Sequence, residues 1–194
     1  MKQLFDYINS YLPNGISEND FEVVKSYFTY KRLRKRHYFL QEGEICKQYG
    51  FIVSGAMRQY TVDDKGTEYI VHLYIENWWV GDRESYTTGT PSAYNIDAWE
   101  DTELLLISRP DVLELIQRCP AFAEMVRMMD DRNSIANLKR LTSSISSGAE
   151  KRYIDLVAAH TGLPERFPQH MIASYLGITK DTLSRIKRQL LLKK

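Results

Sequence analysis

Cysteine is scarce in this chain. Only two of its 194 residues are cysteine, Cys46 and Cys119. Two thiols make no disulfide framework and are too few for an iron–sulfur cluster held by four cysteines. A reducing, cytoplasmic setting is the expectation. Long apolar runs are missing too: no stretch approaches the roughly 20 apolar residues of a membrane span, so no membrane partner is read. Met1 to Leu12 lacks a basic region leading into an apolar one, and no secretory signal is read there. Histidine is sparse too, at four residues. Only His37 and His72 fall in the β-rich part of the chain, and no His-x-His pair occurs. A metal site normally needs three or four ligands, so no metal is expected. Nothing supports haem ligation by His72 or Cys46. No Gly-x-Ser-x-Gly elbow and no phosphate-cradling glycine loop is present, and the chain reads as no enzyme.

What remains is an ordinary globular composition, 43% hydrophobic and 26% charged. The net charge of +1 conceals an asymmetry. Residues 148–194 carry nine Lys/Arg against four Asp/Glu, a net of +5, which leaves −4 on the first 147. A basic C-terminal piece on a mildly acidic body fits a localised polyanion contact. A second basic run, Lys31, Arg32, Arg34, Lys35 and Arg36, precedes His37. A solvated face at a helix-to-strand junction is its ordinary reading; contact with DNA or another protein is the alternative.

The periodicity changes twice. Leu4, Phe5, Ile8, Tyr11 and Leu12 recur at helical spacing until Pro13-Asn14-Gly15. Ser17 reads as an N-cap, and Phe21, Val24, Tyr27 and Phe28 share one face of a second helix. From about Arg32 to Ser108, short runs rich in Tyr, Ile, Val and Thr alternate with glycine-bearing turns. That texture indicates an antiparallel barrel or jelly roll. Asp63-Asp64-Lys65-Gly66 reads as a hairpin turn between Met57–Val62 and Thr67–Tyr74. Helical period returns at Pro110, with a break at Cys119-Pro120. In the long segment from Ala121 to about Ser144, Met128, Ile135, Leu138 and Ile145 form one seam. Phe122, Val126 and Met129 form a second stripe that can lie back on the barrel. Two stripes on one helix suggest a homodimer seam, although Asp131 and Thr142 interrupt it. Packing within the same chain is the alternative. Ser143-Ser144-Ile145-Ser146-Ser147-Gly148 reads as a linker. The expected division is 1–119, 120–147 and 148–194.

The last piece carries the sharpest pattern. Ile172, Ala173 and Leu176 share one face of a short helix, and Leu183, Ile186 and Leu190 share one face of another. Gly177 joins them, able to take the positive φ of a tight turn. That is helix-turn-helix spacing, with helix 179–190 entering the major groove of double-stranded DNA. Arg185 is the candidate for direct base readout, because its fork matches the O6 and N7 acceptors of guanine. Asp181, one turn earlier, can accept from a cytosine amino group or hold Arg185 in place. Lys180 is a second base-edge candidate. Thr179, Thr182 and Ser184 can reach phosphates or base edges, and Thr179 can also cap the helix. Gln169 and His170 are placed for backbone contact, as are Lys187 and Arg188.

The order β-roll, long helix, short linker, helix-turn-helix resembles the Crp/Fnr family of bacterial transcription regulators over nearly the whole chain. Phe39-Leu40-Gln41-Glu42-Gly43-Glu44 looks like the family's early strand and turn, and Tyr49 to Gly55 like the strand that follows. Gly177 to Ile186 looks like its recognition helix. The resemblance implies an α+β fold: an N-terminal antiparallel, cyclic nucleotide-binding-like β-roll with flanking helices, a dimerisation helix, and a winged helix-turn-helix. Only Leu190 to Lys194 follow the recognition helix, so the wing is expected to be reduced or absent. The resemblance also makes RNA polymerase a candidate partner and places an effector pocket at Gly81, Asp82, Ser92, Ala93 and Tyr94. In nucleotide-binding members a Glu after the glycine accepts from the ribose, and an Arg-Ser pair binds the phosphate. Here the acid is the shorter Asp82 and the Arg position is Pro91, which offers neither charge nor N–H. Arg83 adjoins the wrong end of the motif. Binding of cyclic AMP is therefore expected to be weak or absent, and no cofactor is assigned. Trp78, Trp79, Tyr86, Tyr94 and Trp99 are expected to be core, with a pocket for an unknown, less charged small-molecule effector as the alternative. Two other functions stay open at this point: a cupin-like small-molecule-binding barrel, and a regulator controlled by a protein partner.

Overall fold

The structure, a computed structural model, describes residues 1–192. Eight strands make the N-terminal half: β1 (Thr29–Leu33), β2 (Tyr38–Leu40), β3 (Gln48–Ser54), β4 (Met57–Val62), β5 (Glu68–Tyr74), β6 (Trp79–Val80), β7 (Asn95–Ala98) and β8 (Thr102–Ser108). They form two four-stranded antiparallel sheets, ordered β1-β8-β3-β6 and β2-β7-β4-β5. The strand pattern says why both faces of the first sheet are covered. In β8, Leu104 and Leu106 point into the roll while Leu105 and Ile107 point out at helices, so the strand is a continuous apolar run. Each such side chain fully buried contributes about 1.5–3 kcal/mol. The expected hairpin forms between β4 and β5, where Asp63 Oδ1 accepts from the N–H groups of Lys65 and Thr67.

The helices on the outer face are α1 (Lys2–Asn9), α2 (Glu18–Ser26), α4 (Arg109–Arg118) and the start of α5 (Pro120–Ser146); α3 (Arg83–Thr88) closes the β6–β7 connection. Ser17 caps α2 as expected, accepting from Asp20 N–H at 3.1 Å. Phe122 and Met125 of α5 are buried with Leu4, Phe51 and Leu105, and Val126 and Met129 pack beside them, so the second stripe lies on the roll. Beyond it α5 leaves its own domain: every residue from Asp131 to Thr142 is exposed.

The linker is shorter than the sequence suggests. α5 runs through Ser146, and α6 (Ala149–Ala159) begins two residues after Ser147. Four residues of the expected linker, Ser143 to Ser146, are helical. Their hydroxyls explain it: Ser144 donates to Leu141 O and Ser146 to Thr142 O, so serines that could favour a loop bond back to the helix instead. The C-terminal piece continues with α7 (Leu163–Arg166), α8 (Gln169–Tyr175) and α9 (Lys180–Leu192). Leu190 to Leu192, where a wing stub is expected, are the last turn of α9; Lys193 and Lys194 lie outside the described residues.

Candidate nucleic-acid interface and effector pocket

The helix-turn-helix is built as its sequence dictates. Met171, Ile172, Ala173, Leu183 and Ile186 are buried, and Gly177 sits at φ +65°, where a side chain would be strained. Ile178 N–H donates to Ala173 O at 3.0 Å across the turn. Thr179 caps α9, accepting from Thr182 N–H at 3.2 Å. Gln169, His170, Lys180, Asp181, Arg185 and Arg188 are exposed, while Thr182, Ser184 and Lys187 are half-buried. Ser184 Oγ donates to Gln169 Oε1 at 3.3 Å, so the start of α8 and the exposed face of α9 form one surface. Among the described residues no ion pair joins Asp181 to Arg185. The guanidinium is not held by its neighbour, which leaves Asp181 itself free to face a ligand.

This unit is docked on the roll, a feature with no signal in the sequence. The Arg166 guanidinium reaches two turns of the roll at once, Glu76 at 3.1 Å and Glu100 through Nε at 2.8 Å. Its own carbonyl accepts from Trp99 Nε1 at 3.1 Å. Burial works against ionising Glu76, but hydrogen bonds from Arg166 and Gly55 N–H outweigh it and hold the carboxyl below its usual range. Ser174 Oγ accepts from Ile70 N–H at 2.9 Å, satisfying part of the open edge of β5. Beneath these contacts Ala56, Tyr60, Ile70 and Leu73 of the roll meet Leu163, Phe167 and Met171. Arg152 of α6 adds a clamp of its own, donating to Ser147 O at 2.6 Å and Leu176 O at 3.2 Å. It ties the end of α5 to the turn that orients the recognition helix. Arg166 and Ser174 escape sequence reading because their partners lie far along the chain, 66 residues or more away.

Around the effector-pocket candidates the side chains are engaged in local structure. The place of a Gly81 Cβ is taken by the Tyr49 ring, 2.5 Å away. Asp82 is buried and caps α3 through Glu84 N–H at 3.1 Å. Ser92 is buried in its own turn, accepting from Tyr94 N–H at 3.1 Å and donating to Tyr94 O. Ala93 and Pro91 are exposed. Arg83 points away, pairing with Asp130 of α5 at 2.9 Å. The roll interior is filled by Ile52, Met57, Tyr74, Val80, Ile96, Leu104 and Leu106, with Trp78 and Tyr86 against them. Tyr74 OH donates to Gln59 Oε1 at 2.6 Å inside that core. The aromatic side chains do not gather in one site. Trp79 packs outside the roll with Phe51 and Phe28, and Trp99 lies under the C-terminal unit. A concavity of about 510 Å³ opens elsewhere, between Lys31 of β1 and the 39–48 segment, and touches none of the pocket candidates. His72 stacks on Tyr74 with ring centres 4.4 Å apart. Burial first, and then the Arg140 charge, push its imidazole down to about 4, so it is a neutral packing group at pH 7.

The seam residues of α5 stand apart from their own chain. Met128 is half-buried, and Ile135, Leu138 and Ile145 are exposed, Ile145 at 80%. Leu141, 59% exposed, extends the seam beyond the residues expected from the sequence. It lies three residues after Leu138 and four before Ile145, which places it on the same strip.

Comparison with known proteins agrees with this architecture. The family model for the cyclic nucleotide-binding domain matches residues 30–119. The chain is 26% identical over 177 residues to the cyclic AMP receptor protein of Thermus thermophilus, covering 89% of this chain and 82% of that protein. Among solved structures it is similar to the Thermus thermophilus catabolite activator protein, with 24% identity, 92% of this chain and 85% of that chain covered, and a TM-score of 0.55. The c-di-GMP responsive global regulator CLP of Xanthomonas campestris is similar at 13% identity, 91% and 93% coverage and a TM-score of 0.70. FixK2 from Bradyrhizobium japonicum is similar at 20% identity, 86% and 85% coverage and a TM-score of 0.62. At such identities the solved structures speak for the fold. The domain match shows a cyclic nucleotide-binding domain over residues 30–119, and the sequence relative and the shared order of roll, long helix and helix-turn-helix make the chain similar to regulators of the Crp/Fnr kind.

Proposed function

We propose that the chain is a homodimeric, sequence-specific DNA-binding transcription regulator that reads the major groove with α9. The observation that carries this reading is the outward face of α9: a helix fixed by Gly177 and two buried residues, Leu183 and Ile186, presents Lys180, Asp181, Arg185 and Arg188 to solvent. The test is selection of random duplex DNA by the purified protein without ligand, with Arg185→Ala alongside. An enriched palindrome with half-sites about one helical turn apart supports the reading. Arg185→Ala is expected to cost about 1–3 kcal/mol and relax preference at one base pair. A uniform loss over all sequences instead makes Arg185 a phosphate contact, and no enrichment counts against ligand-free operator reading.

The roll does not act as a cyclic AMP receptor in this proposal, although the sequence relative carries that name. Asp82 and Ser92 serve local caps, Pro91 supplies no cation, and Arg83 is turned to Asp130. A cyclic phosphate brought here meets no partner for its charge. Titration calorimetry with cyclic AMP is expected to give no saturable heat at micromolar concentration. Micromolar affinity would overturn this part.

A further inference from the structure

One stretch of the seam between the roll and the C-terminal unit is made of rings rather than ion pairs. His72 of β5 stacks on Tyr74 with ring centres 4.4 Å apart, and meets the Trp78 and Tyr175 rings at steep angles, 5.7 and 6.3 Å away. Its Nδ1 lies 3.2 Å from Leu73 O, which assigns the proton of the neutral ring to Nδ1 and leaves Nε2 bare. The same Trp78 ring meets His160, at the end of α6, with centres 4.8 Å apart. The Tyr175 ring carries the Arg140 guanidinium of α5, 4.1 Å from its centre. One cluster thus joins the roll to α5, α6 and α8.

What this cluster lacks is an anion. The titratable and charged groups that face His72 are Tyr74 of its own strand, Arg140 of α5, His160 of α6 and Tyr175 of α8. Among the described residues neither imidazole pairs with a carboxylate, and Glu76 of the roll is taken by Arg166. A proton on the half-buried His72 brings a second positive charge toward a guanidinium, with part of its hydration lost. The face of Tyr74 returns only part of that loss. Burial, and then Arg140, lower the His72 imidazole from 6.5 to about 4, and burial lowers that of His160. The docked state therefore binds fewer protons than an open one. The stability these rings give to docking is fully present above the ordinary 6.5 and is lost as pH falls from there toward the lowered value.

We infer that this joint is an acid-sensitive latch: neutral His72 and His160 let the helix-turn-helix unit rest on the roll, and their protonation loosens it. The latch concerns docking, so it stands whether or not α9 reads DNA. Its consequence reaches α9 all the same, because the Ser174 bond to β5 and the Arg166 clamp lie on the same seam and set how that helix is presented.

Hydrogen exchange of the full chain, followed by NMR at about pH 7.5 and about pH 5.5 and corrected for the intrinsic rate, tests this. The reporter is the Ile70 amide, which donates to Ser174 Oγ across the seam at 2.9 Å. The reference is the set of amides of β8, which lies between β1 and β3 away from the seam. At the lower pH Glu76 keeps its charge, because Arg166 and Gly55 N–H hold its carboxyl below the usual range. The wild type is expected to lose about tenfold of its Ile70 protection between the two pH values, the change produced at pH 5.5 by moving one imidazole between about 4 and 6.5. Protection in β8 is expected to hold. The double variant His72→Phe, His160→Phe is expected to lose less than about twofold. Arg140→Gln, at an exposed position, removes one facing charge without refilling the joint, and is expected to shrink the acid loss. It decides the matter if the double variant is already open at the higher pH. A wild type equally protected at both pH values overturns the latch. So does a loss shared by β8, which is acid unfolding of the whole chain, and so does a loss that persists in full in both variants, which assigns the proton to other groups.

Discussion

Replacing Ile135 and Leu138 together by glutamate is expected to convert the proposed dimer to monomers and to weaken the proposed operator binding about 10²- to 10⁴-fold. Both side chains are more than half exposed on a helix that touches little of its own chain between Asp131 and Thr142. Leu138, Leu141 and Ile145 continue the strip for two further turns, an exposed apolar face that water alone does not stabilise. Asp131 sits within the strip, and Arg127 pairs with it at 3.3 Å, which softens the cost of a carboxylate there. Four carboxylates brought together across the seam repel one another and must be desolvated, so association fails while the fold of each protomer is kept. Circular dichroism is then unchanged, and sedimentation gives the monomer mass. The large loss in affinity follows from valency. Two half-sites bound by one particle gain the millimolar effective concentration of the second unit, and a monomer has none. A variant that still sediments as a dimer moves the interface off this helix. A wild type that is already a monomer at micromolar concentration removes the homodimer from the proposed function.

The parts of this molecule legible in its sequence are those fixed by neighbours along the chain. The Gly177 turn, the Thr179 cap and the Asp63 hairpin rest on residues within five of each other, where residue type and spacing carry the physics. The strands of the roll announce themselves by turn residues between β-branched and aromatic runs. Boundaries set by competition are less legible. The serines at the end of α5 could favour a loop, and their bonds to Leu141 and Thr142 decide for helix. The pocket candidates illustrate a different difficulty. Motif resemblance finds Gly81, Asp82 and Ser92, but it cannot show that Tyr49 fills the space over Gly81 or that Asp82 serves as a helix cap. Nor can periodicity show that the tryptophans belong to separate clusters. The docking of the helix-turn-helix has no local signal at all: Arg166 lies 90 residues from Glu76 and 66 from Glu100. Packing of the whole chain, rather than any motif, sets the angle at which α9 is presented.

The outer face of the second sheet holds a charge cluster beside that docking surface, and Asp97→Ala is expected to destabilise the protein by about 3 kcal/mol. Arg58 and Asp97 have side chains only 10% and 9% exposed. They meet in a two-pronged pair, Nε to Oδ1 and Nη2 to Oδ2, each at 2.9 Å. Glu68 takes a further prong but is 42% exposed, so much of its charge is already screened by water. The Tyr60 ring lies 4.2 Å from the guanidinium carbon, and Trp99, which carries the bond to Arg166, lies 5.8 Å from it. Removing the Asp97 carboxylate leaves a largely buried guanidinium with only the half-exposed Glu68 as its partner and little water to make up the loss. With a urea m-value of about 1–3 kcal/mol/M, the midpoint is expected to fall by roughly 1–3 M with m unchanged. The double variant Arg58→Met, Asp97→Leu separates the two halves of the argument. If the loss comes from an uncompensated charge and not from a favourable pair, the double variant recovers most of it, because a buried ion pair contributes little over apolar residues of similar volume. A single variant costing less than about 1 kcal/mol would show that water reaches Arg58 after all. Full recovery in the double variant, together with unchanged operator affinity, would show that the sheet needs this face neutral and filled rather than charged. Recovered stability with weakened operator binding would instead assign the pair a part in holding Trp99, and through it Arg166, at the angle the recognition helix requires.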